Sequence, residues 1–227
     1  MSELFEIHKD VEHSSDKWNS YFEVYEKHLK HYRGKDVRLI EVGVQRGGSL
    51  DMWSTYFGSN SKITGIDIDP ECSKLTYSKN NINVVIGNQE DPAFWDDFLK
   101  DNPNIDIFID DGGHTMSQQI VTFEKVFPRL KLGGTYICED THTSYWPGFG
   151  GESDSKISFI DYAKDYIDVL HYNWTKQRSS ILEDKNKIAS NGLSGISFYD
   201  SVVVFEKFGV QPMYRVIVDG KYKYQSR

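Results

Sequence analysis

Two short runs concentrate the residues able to do chemistry in this 227-residue chain. The first, Ile105-Asp-Ile-Phe-Ile-Asp-Asp-Gly-Gly-His114, is an apolar stretch closed by two acids, with a histidine three residues past the second. The second, Gly134-Thr-Tyr-Ile-Cys-Glu-Asp-Thr-His142, repeats the plan. If both are strands of one parallel sheet, their tips lie side by side. Asp110, Asp111, Glu139 and Asp140 then converge on one cleft, where like charges cannot all ionise cheaply without a cation. A hard divalent ion relieves the conflict, and oxygen ligation without cysteine points to Mg2+, with Mn2+ or Ca2+ as alternatives, rather than zinc. His114 beside such an ion could take a proton from a bound hydroxyl. Each acid taken singly reads as an exposed strand end. Two successive tips with paired acids and a following histidine are what favour the metal.

A second constellation begins at Arg38-Leu-Ile-Glu-Val-Gly-Val-Gln-Arg-Gly-Gly-Ser49, an apolar strand running into a glycine-rich turn and a helix. Open α/β sheets bind ligands at such carboxyl ends. The dinucleotide fingerprint fails, because Gln45 stands where a middle glycine would fall between Gly43 and Gly47. Glu41 would repel a pyrophosphate and attract a cationic amine or sulfonium, which favours S-adenosylmethionine over NAD. The bland alternative is a solvated acid beside a structural turn. Glu41, Gly43, Gly47 and Ser49, which opens the helix, are the expected cofactor contacts of this turn. Asp67 closes the next apolar run at the place where an acid hydrogen-bonds ribose hydroxyls; Asp69 competes for that role but precedes Pro70 and reads equally as a turn. Gln89, after the third strand, would face the adenine side.

The elements that must position these residues follow from periodicity. Strands are expected at Arg38–Val42, Lys62–Asp67, Asn83–Gly87, Ile105–Asp110 and Gly134–Glu139, and helices at Ser49–Phe57, Cys72–Lys79, Pro92–Asn102 and Ser117–Leu130. The alternation predicts an α/β fold: a Rossmann-like, mostly parallel seven-stranded sheet with helices on both faces. A helix over Lys156–Leu170 and a polar stretch around Glu183–Asn191 come next. Gly195–Phe205 and Tyr214–Asp219 are then expected as a C-terminal antiparallel hairpin. Trp18, Tyr21, Phe22, Tyr25 and Leu29 recur at helical spacing within Ser14–Tyr32. Residues 1–227 read as one domain, with 1–34 as a helical extension packing on or over the cofactor site.

Composition narrows the partners. Lys plus Arg number 26 against 34 acids, a net charge of −8, and no basic stripe follows a nucleic-acid backbone. Mean hydropathy is −0.55, yet aromatic residues make up 14%, which argues for an ordered core. No apolar run of membrane-spanning length and no signal-peptide centre is present, so a cytoplasmic protein is the default expectation. Cys72 and Cys138 read as ordinary thiols.

On these residues the chain resembles the class I S-adenosylmethionine-dependent methyltransferases. More narrowly, it resembles the metal-dependent sugar O-methyltransferases of macrolide biosynthesis (mycinamicin and macrocin type) and cephalosporin-hydroxylase-like proteins. The likeness runs through Ser15-Asp-Lys-Trp18, Tyr25-Glu26, Glu41-Val-Gly-Val with Gly47-Gly-Ser49, Gly65-Ile-Asp67, Asp110-Asp-Gly-Gly-His114, Glu139-Asp-Thr-His-Thr-Ser-Tyr-Trp146 and Phe198–Glu206. It implies Asp111, Glu139 and Asp140 as metal ligands, His114 as general base, and Asp110 as a neighbour on the cofactor side. It departs at Gly113, where serine is commoner, and in lacking the separate N-terminal domain of some relatives. The helix through Trp18–Leu29 either covers the cofactor or packs on the sheet, and packing is favoured for most of its aromatics. Tyr145–Gly151 reads equally as a sugar-stacking lid and as a surface loop with two buried aromatics.

The reaction these expectations describe is Mg2+-dependent transfer of a methyl group to a hydroxyl of a sugar or glycosylated small molecule. Rivals are a catechol-type O-methyltransferase, a non-catalytic S-adenosylmethionine-binding protein and, weakened by Gln45 and Glu41, an NAD-dependent oxidoreductase. Self-association is compatible with the fold class but unspecified.

Overall fold

The structure is a computed structural model in which residues 2–152, 158–189, 192–209, 214–218 and 222–226 are described. A seven-stranded sheet forms its centre, built from β1 (Arg38–Val42), β2 (Lys62–Asp67), β3 (Ile82–Ile86), β4 (Ile105–Asp110), β5 (Leu130–Cys138), β6 (Gly195–Tyr199) and β7 (Val202–Lys207). The strand order is β3-β2-β1-β4-β5-β7-β6. The first five strands are mutually parallel, whereas β7 runs antiparallel to both β5 and β6. This is the expected Rossmann-like methyltransferase arrangement.

Helices cover both faces because the strands are apolar on both sides. One face carries α4 (Pro92–Asp101), α5 (Met116–Val126), α6 (Phe159–Lys164) and α7 (Tyr166–Leu170), whose Trp95, Phe123 and Tyr166 pack with Ile40, Phe108 and Phe205. The other carries α1 (Glu3–Lys9), α2 (Tyr21–Leu29) and α3 (Gly48–Phe57), whose Leu4, Phe22 and Trp53 pack with Leu39, Ile107 and Val204. The N-terminal extension therefore packs on the sheet.

Several boundaries differ from expectation, each for a local reason. The helix expected over Ser14–Tyr32 is α2 followed by a 3-10 turn at Lys30–Tyr32, while 14–20 is irregular. The helix expected over Cys72–Lys79 is a single 3-10 stretch, Pro70–Lys74, capped by the Asp69 side chain on the Glu71 N–H and ended by extended backbone at Leu75. Pro128 cannot continue a helix, so α5 stops at Val126 and a 3-10 turn leads into β5. Residues 159–170 form two short helices, and Lys156 lies outside the described residues. The polar stretch from Glu183 falls largely within α8 (Ser180–Ile188), whose first turn holds Glu183, and Asn191 lies outside the described residues.

The C-terminal hairpin is drawn from other residues than expected. Gly195–Phe205 is not one strand: Tyr199 pairs with Val202, so Asp200 and Ser201 make a two-residue turn, with Ser201 at φ 65°. The hairpin that closes the sheet is thus β6 and β7. The strand at Tyr214–Val218 (β8) pairs instead with Tyr222–Ser226 (β9) in a separate two-stranded sheet, and Asp219 lies outside the described residues. Cys72 and Cys138 are buried and unpaired.

Phe123 is the aromatic hub of the first face. Its ring centroid lies 4.5 Å from Phe205, 4.9 Å from Phe127, 5.0 Å from Tyr166 and 5.1 Å from Tyr136. Phe123→Ala should cost about 3–5 kcal/mol through lost burial and the cavity left behind. Urea unfolding measures this, and a loss below about 1 kcal/mol would mean that the hub repacks.

Candidate active site

The register brings the expected acids abreast. Val42 pairs with Asp110, and Asp110 with Cys138. The ladder continues one residue further: the Asp111 N–H donates to Val42 O (3.0 Å) and the Glu139 N–H to Asp110 O (2.9 Å). Gly43, Asp111 and Glu139 therefore leave the sheet at one level. The strand order reverses between β1 and β4, which opens the ligand crevice of such sheets there.

Asp111, His114, Glu139 and Asp140 line one cavity of about 270 Å³ together with Lys17 and Trp18. One ligand atom each from Asp111, His114 and Asp140 lie within 4.8 Å of one another. His114 Nε2 stands 3.5 Å from Asp140 Oδ2, while its Nδ1 is buried without a partner. His114 and Asp140 both hold left-handed backbone, φ 57° and 51°. Such strain costs on the order of 1–3 kcal/mol per residue and persists only where surroundings over-determine it. Carboxylates with one imidazole suit a hard or borderline divalent ion, so the donor set fits Mg2+ or Mn2+.

Three polar groups from the N-terminal segment also enter this cluster, and sequence reasoning gave none of them a role. Lys17 Nζ donates to Asp111 Oδ2 (2.6 Å), Glu139 Oε2 (2.9 Å) and Glu41 Oε1 (3.1 Å). Tyr25 donates to Glu139 Oε1 (2.5 Å) and Tyr21 to Asp140 Oδ1 (2.5 Å). Burial opposes the Lys17 charge, but Asp111, Glu139 and Glu41 hold its pKa well above the usual lysine range. Burial, then repulsion from Asp111, pushes Glu139 well up, and burial raises Glu41. Lys17 and Tyr25 stand in stretches that carry the family resemblance. That was the available signal, though neither residue type announced a polar role on an otherwise apolar helix face.

A second cavity, about 190 Å³, is lined by Gly43, Gln45, Asp67, Ile68, Gln89 and Asp111 among others. It contains three of the expected cofactor residues. Gly43 is required there: at φ 96°, an added Cβ would lie 1.9 Å from the Asp111 carbonyl oxygen. Asp67 Oδ2 accepts from the Val44 and Gln45 N–H groups (2.8 and 3.0 Å), which shapes the turn. Gln89 Nε2 donates to Asp110 Oδ1 (3.0 Å), and its Oε1 accepts from the Gly113 N–H (2.8 Å).

The other expected cofactor residues lie elsewhere. Glu41 is fully buried behind the cavity, where it also accepts from Ser49 Oγ (2.8 Å) and Trp53 Nε1 (3.1 Å). Gly47 caps α3 beneath Tyr77. Ser49 borders a recess of about 20 Å³ beside Ser14, Ser15 and Lys17.

Residues 40–141 match the family described as a methyltransferase domain. The chain carries a class I methyltransferase domain. It is 36% identical over 71% of its length to the 8-demethyl-8-alpha-L-rhamnosyl tetracenomycin-C 2'-O-methyltransferase of Streptomyces olivaceus, covering 44% of that protein. It is 32% identical over 84% of its length to the demethylmacrocin O-methyltransferase of Streptomyces fradiae, covering 50% of that protein. Among solved structures, it is similar to the mycinamycin-pathway methyltransferase MycE in complex with Mg, SAH and mycinamycin VI. That likeness has a TM-score of 0.76 at 29% identity and covers 91% of this chain and 53% of MycE. The chain thus spans about half the length of the curated relatives it matches.

Within this methyltransferase domain, Gly113 is the position at which the resemblance led serine to be expected. A Cβ there would meet Gln118 Oε1 at 2.4 Å, and Gln118 is committed to the capping box that starts α5. His142 Nδ1 meets Ser201 Oγ (2.5 Å) and lies 4.0 Å from Asp140 Oδ1. The 145–151 loop is a surface loop, but Tyr145 and Trp146 are exposed rather than buried, and Trp146 packs edge-on against His142. Among the described residues, no helix is long and apolar enough to cross a membrane.

Asp110, beside the Asp111 of the acid pocket, lines neither cavity. Burial pushes its pKa up to about 7 against the pull of hydrogen bonds from Gln89 and Tyr136. Folding therefore keeps a proton that the unfolded chain releases near pH 4, so this group's contribution falls as pH rises from about 4 to 7. In protein stripped of divalent ions, stability by urea unfolding should drop by up to about 4 kcal/mol across that window. Asp110→Asn should flatten the slope, and an unchanged slope would assign it to other groups.

Proposed function

We propose that this chain is an S-adenosylmethionine-dependent, Mg2+-dependent O-methyltransferase acting on a sugar hydroxyl of a glycosylated small molecule. One observation carries the reading: the two cavities share Gln45 and Asp111 as a common wall. A ligand in the first and a ligand among the acids of the second would meet across that wall. The tetracenomycin relative methylates a rhamnosyl sugar, and MycE is known with Mg and SAH, which supports the same classes of acceptor and cofactor here.

When bound, S-adenosylmethionine supplies an electrophilic methyl group and the divalent ion lowers the pKa of an acceptor hydroxyl. Asp67 faces the first cavity and retains lone pairs for ribose hydroxyls beyond those used by Val44, Gln45 and Asp69. Gln89 positions the Gly112-Gly113 turn rather than reading the ligand, because its carboxamide is already paired on both sides. Asp111, Glu139 and Asp140 are the residues that would hold the ion. His114 is the base, and Nε2 is its working atom, since Nδ1 is buried. The residues' main contribution is to hold two reactants in line.

Purified chain should transfer labelled methyl from S-adenosylmethionine to rhamnosyl glycosides with Mg2+ present and stop on chelation. Transfer to catechols alone would move the acceptor class, and no transfer to any acceptor would sink the enzymatic reading. His114→Ala should lower turnover on the order of 10²- to 10⁴-fold while retaining bound Mn2+. Loss of the ion together with turnover would instead make His114 a ligand. Asp111→Asn should lose both, as read by Mn2+ titration.

A further inference from the structure

The acid pocket already contains a cation that belongs to the chain. The Lys17 side chain is only 2% exposed, and an ammonium has three N–H donors. Each of them has its own carboxylate, on Glu41, Asp111 and Glu139, so no donor is left for solvent or a ligand. These acids come from the ends of three adjacent strands. Removing the ammonium would leave three converging carboxylates, which is the donor chemistry of a hard-cation site.

The segment that carries Lys17 is fastened on both sides. Upstream, the His13 N–H and Nδ1 lie 3.2 and 2.6 Å from Asp51 Oδ2, and the Gly48 N–H donates to Ser14 O (3.2 Å). Downstream, Tyr21 and Tyr25 hold Asp140 and Glu139. Withdrawing Lys17 would mean breaking this strap as well as the three ion pairs. Lys17 also uses only one oxygen of each acid, and an ionised carboxylate has about four lone-pair positions. Asp111 and Glu139 therefore keep acceptor capacity, and Asp140, which Lys17 does not touch, stands 3.5 Å from His114 Nε2.

We propose that Lys17 is the permanent counter-ion of the acid pocket: a positioning residue that fills the cation place between Glu41, Asp111 and Glu139 and so restricts the pocket to one divalent ion. That ion would be held by Asp111, Asp140 and the lone pairs of Glu139 that Lys17 and Tyr25 leave free, beside the base His114. The inference rests on the metal reading of the proposed function, and charge matching agrees with it. An ammonium, one divalent ion and a sulfonium together equal the four carboxylates Glu41, Asp111, Glu139 and Asp140. A second divalent ion in place of the ammonium would leave the same set one charge positive.

The test counts Mn2+ ions bound to the chelator-stripped chain, using the electron paramagnetic resonance signal of free Mn2+, in wild type and in Lys17→Met. One ion in wild type and two in the variant are expected. Equal counts, or two ions in wild type, would overturn the proposal. No ion in wild type with one in Lys17→Met would keep Lys17 in this role while removing the metal from the proposed function. If Lys17→Met does not fold, wild-type chain with 15N-labelled lysine decides. The Lys17 ammonium resonance, protected from solvent exchange by burial, should persist at saturating Mg2+. Its disappearance on adding Mg2+ would mean that the ion displaces Lys17, and the proposal would be wrong.

Discussion

Burying like charges together is the constraint around which this domain is arranged. Glu41 and Glu139 are fully buried and face the half-buried Asp111 across a space small enough for one lysine to touch all three. Carboxylates removed from water either take up protons or acquire countercharge, because an isolated buried ion costs several kcal/mol even after relaxation. Here the countercharge comes from a segment that precedes the sheet in sequence and returns over its carboxyl edge. The irregular stretch between α1 and α2 is therefore as much a part of the pocket as the strand tips are. Helix formation through residues 14–20 would have kept Lys17 on a helix surface instead of letting it reach across.

The topology explains why the acids converge at all. β1, β4 and β5 are adjacent and parallel, and their register sets Gly43, Asp111 and Glu139 at one height. Beyond that height the backbone has to leave the sheet sharply. Gln45, His114 and Asp140 do so in left-handed conformations that glycine would adopt more easily, yet each side chain lines the acid cavity. A glycine at these positions would relieve strain and remove the side chain. The strain and the chemistry share the same residues.

Much of this was legible in the sequence. Alternating apolar runs and punctuation predicted five parallel strands and their helices, and paired acids at two consecutive tips marked the pocket. What escaped has physical causes. Lys17, Tyr21 and Tyr25 lie where periodicity signals only an amphipathic helix, and pattern cannot show which buried ring ends in a hydroxyl that meets an acid 114 or 119 positions away. The hairpin was misassigned because Phe198-Tyr-Asp-Ser-Val-Val interrupts an apolar run with only two polar residues, which are enough for a tight turn. Glu41 was expected to face a cationic ligand, and the Lys17 ammonium lies 3.1 Å from its Oε1. The cation the structure places against it is internal.

Asp110 and Asp111 show how far position alone can separate identical side chains. Asp110 is the last residue of β4 and turns to the face where Gln89 and Tyr136 wait, sealed from water. Asp111 is one residue past the sheet and turns the other way, toward Lys17 and the cavity. The first is pushed toward its neutral form by burial; the second has an ammonium at 2.6 Å. The division also protects the pocket's charge balance. If Asp110 were ionised beside Asp111, its charge would add to the cluster without access to Lys17 or to an ion in the cavity. Burial raises the pKa of that fifth carboxyl to about 7, against the pull of hydrogen bonds from Gln89 and Tyr136, and so withholds part of its charge from the count that Lys17 and a divalent ion have to meet.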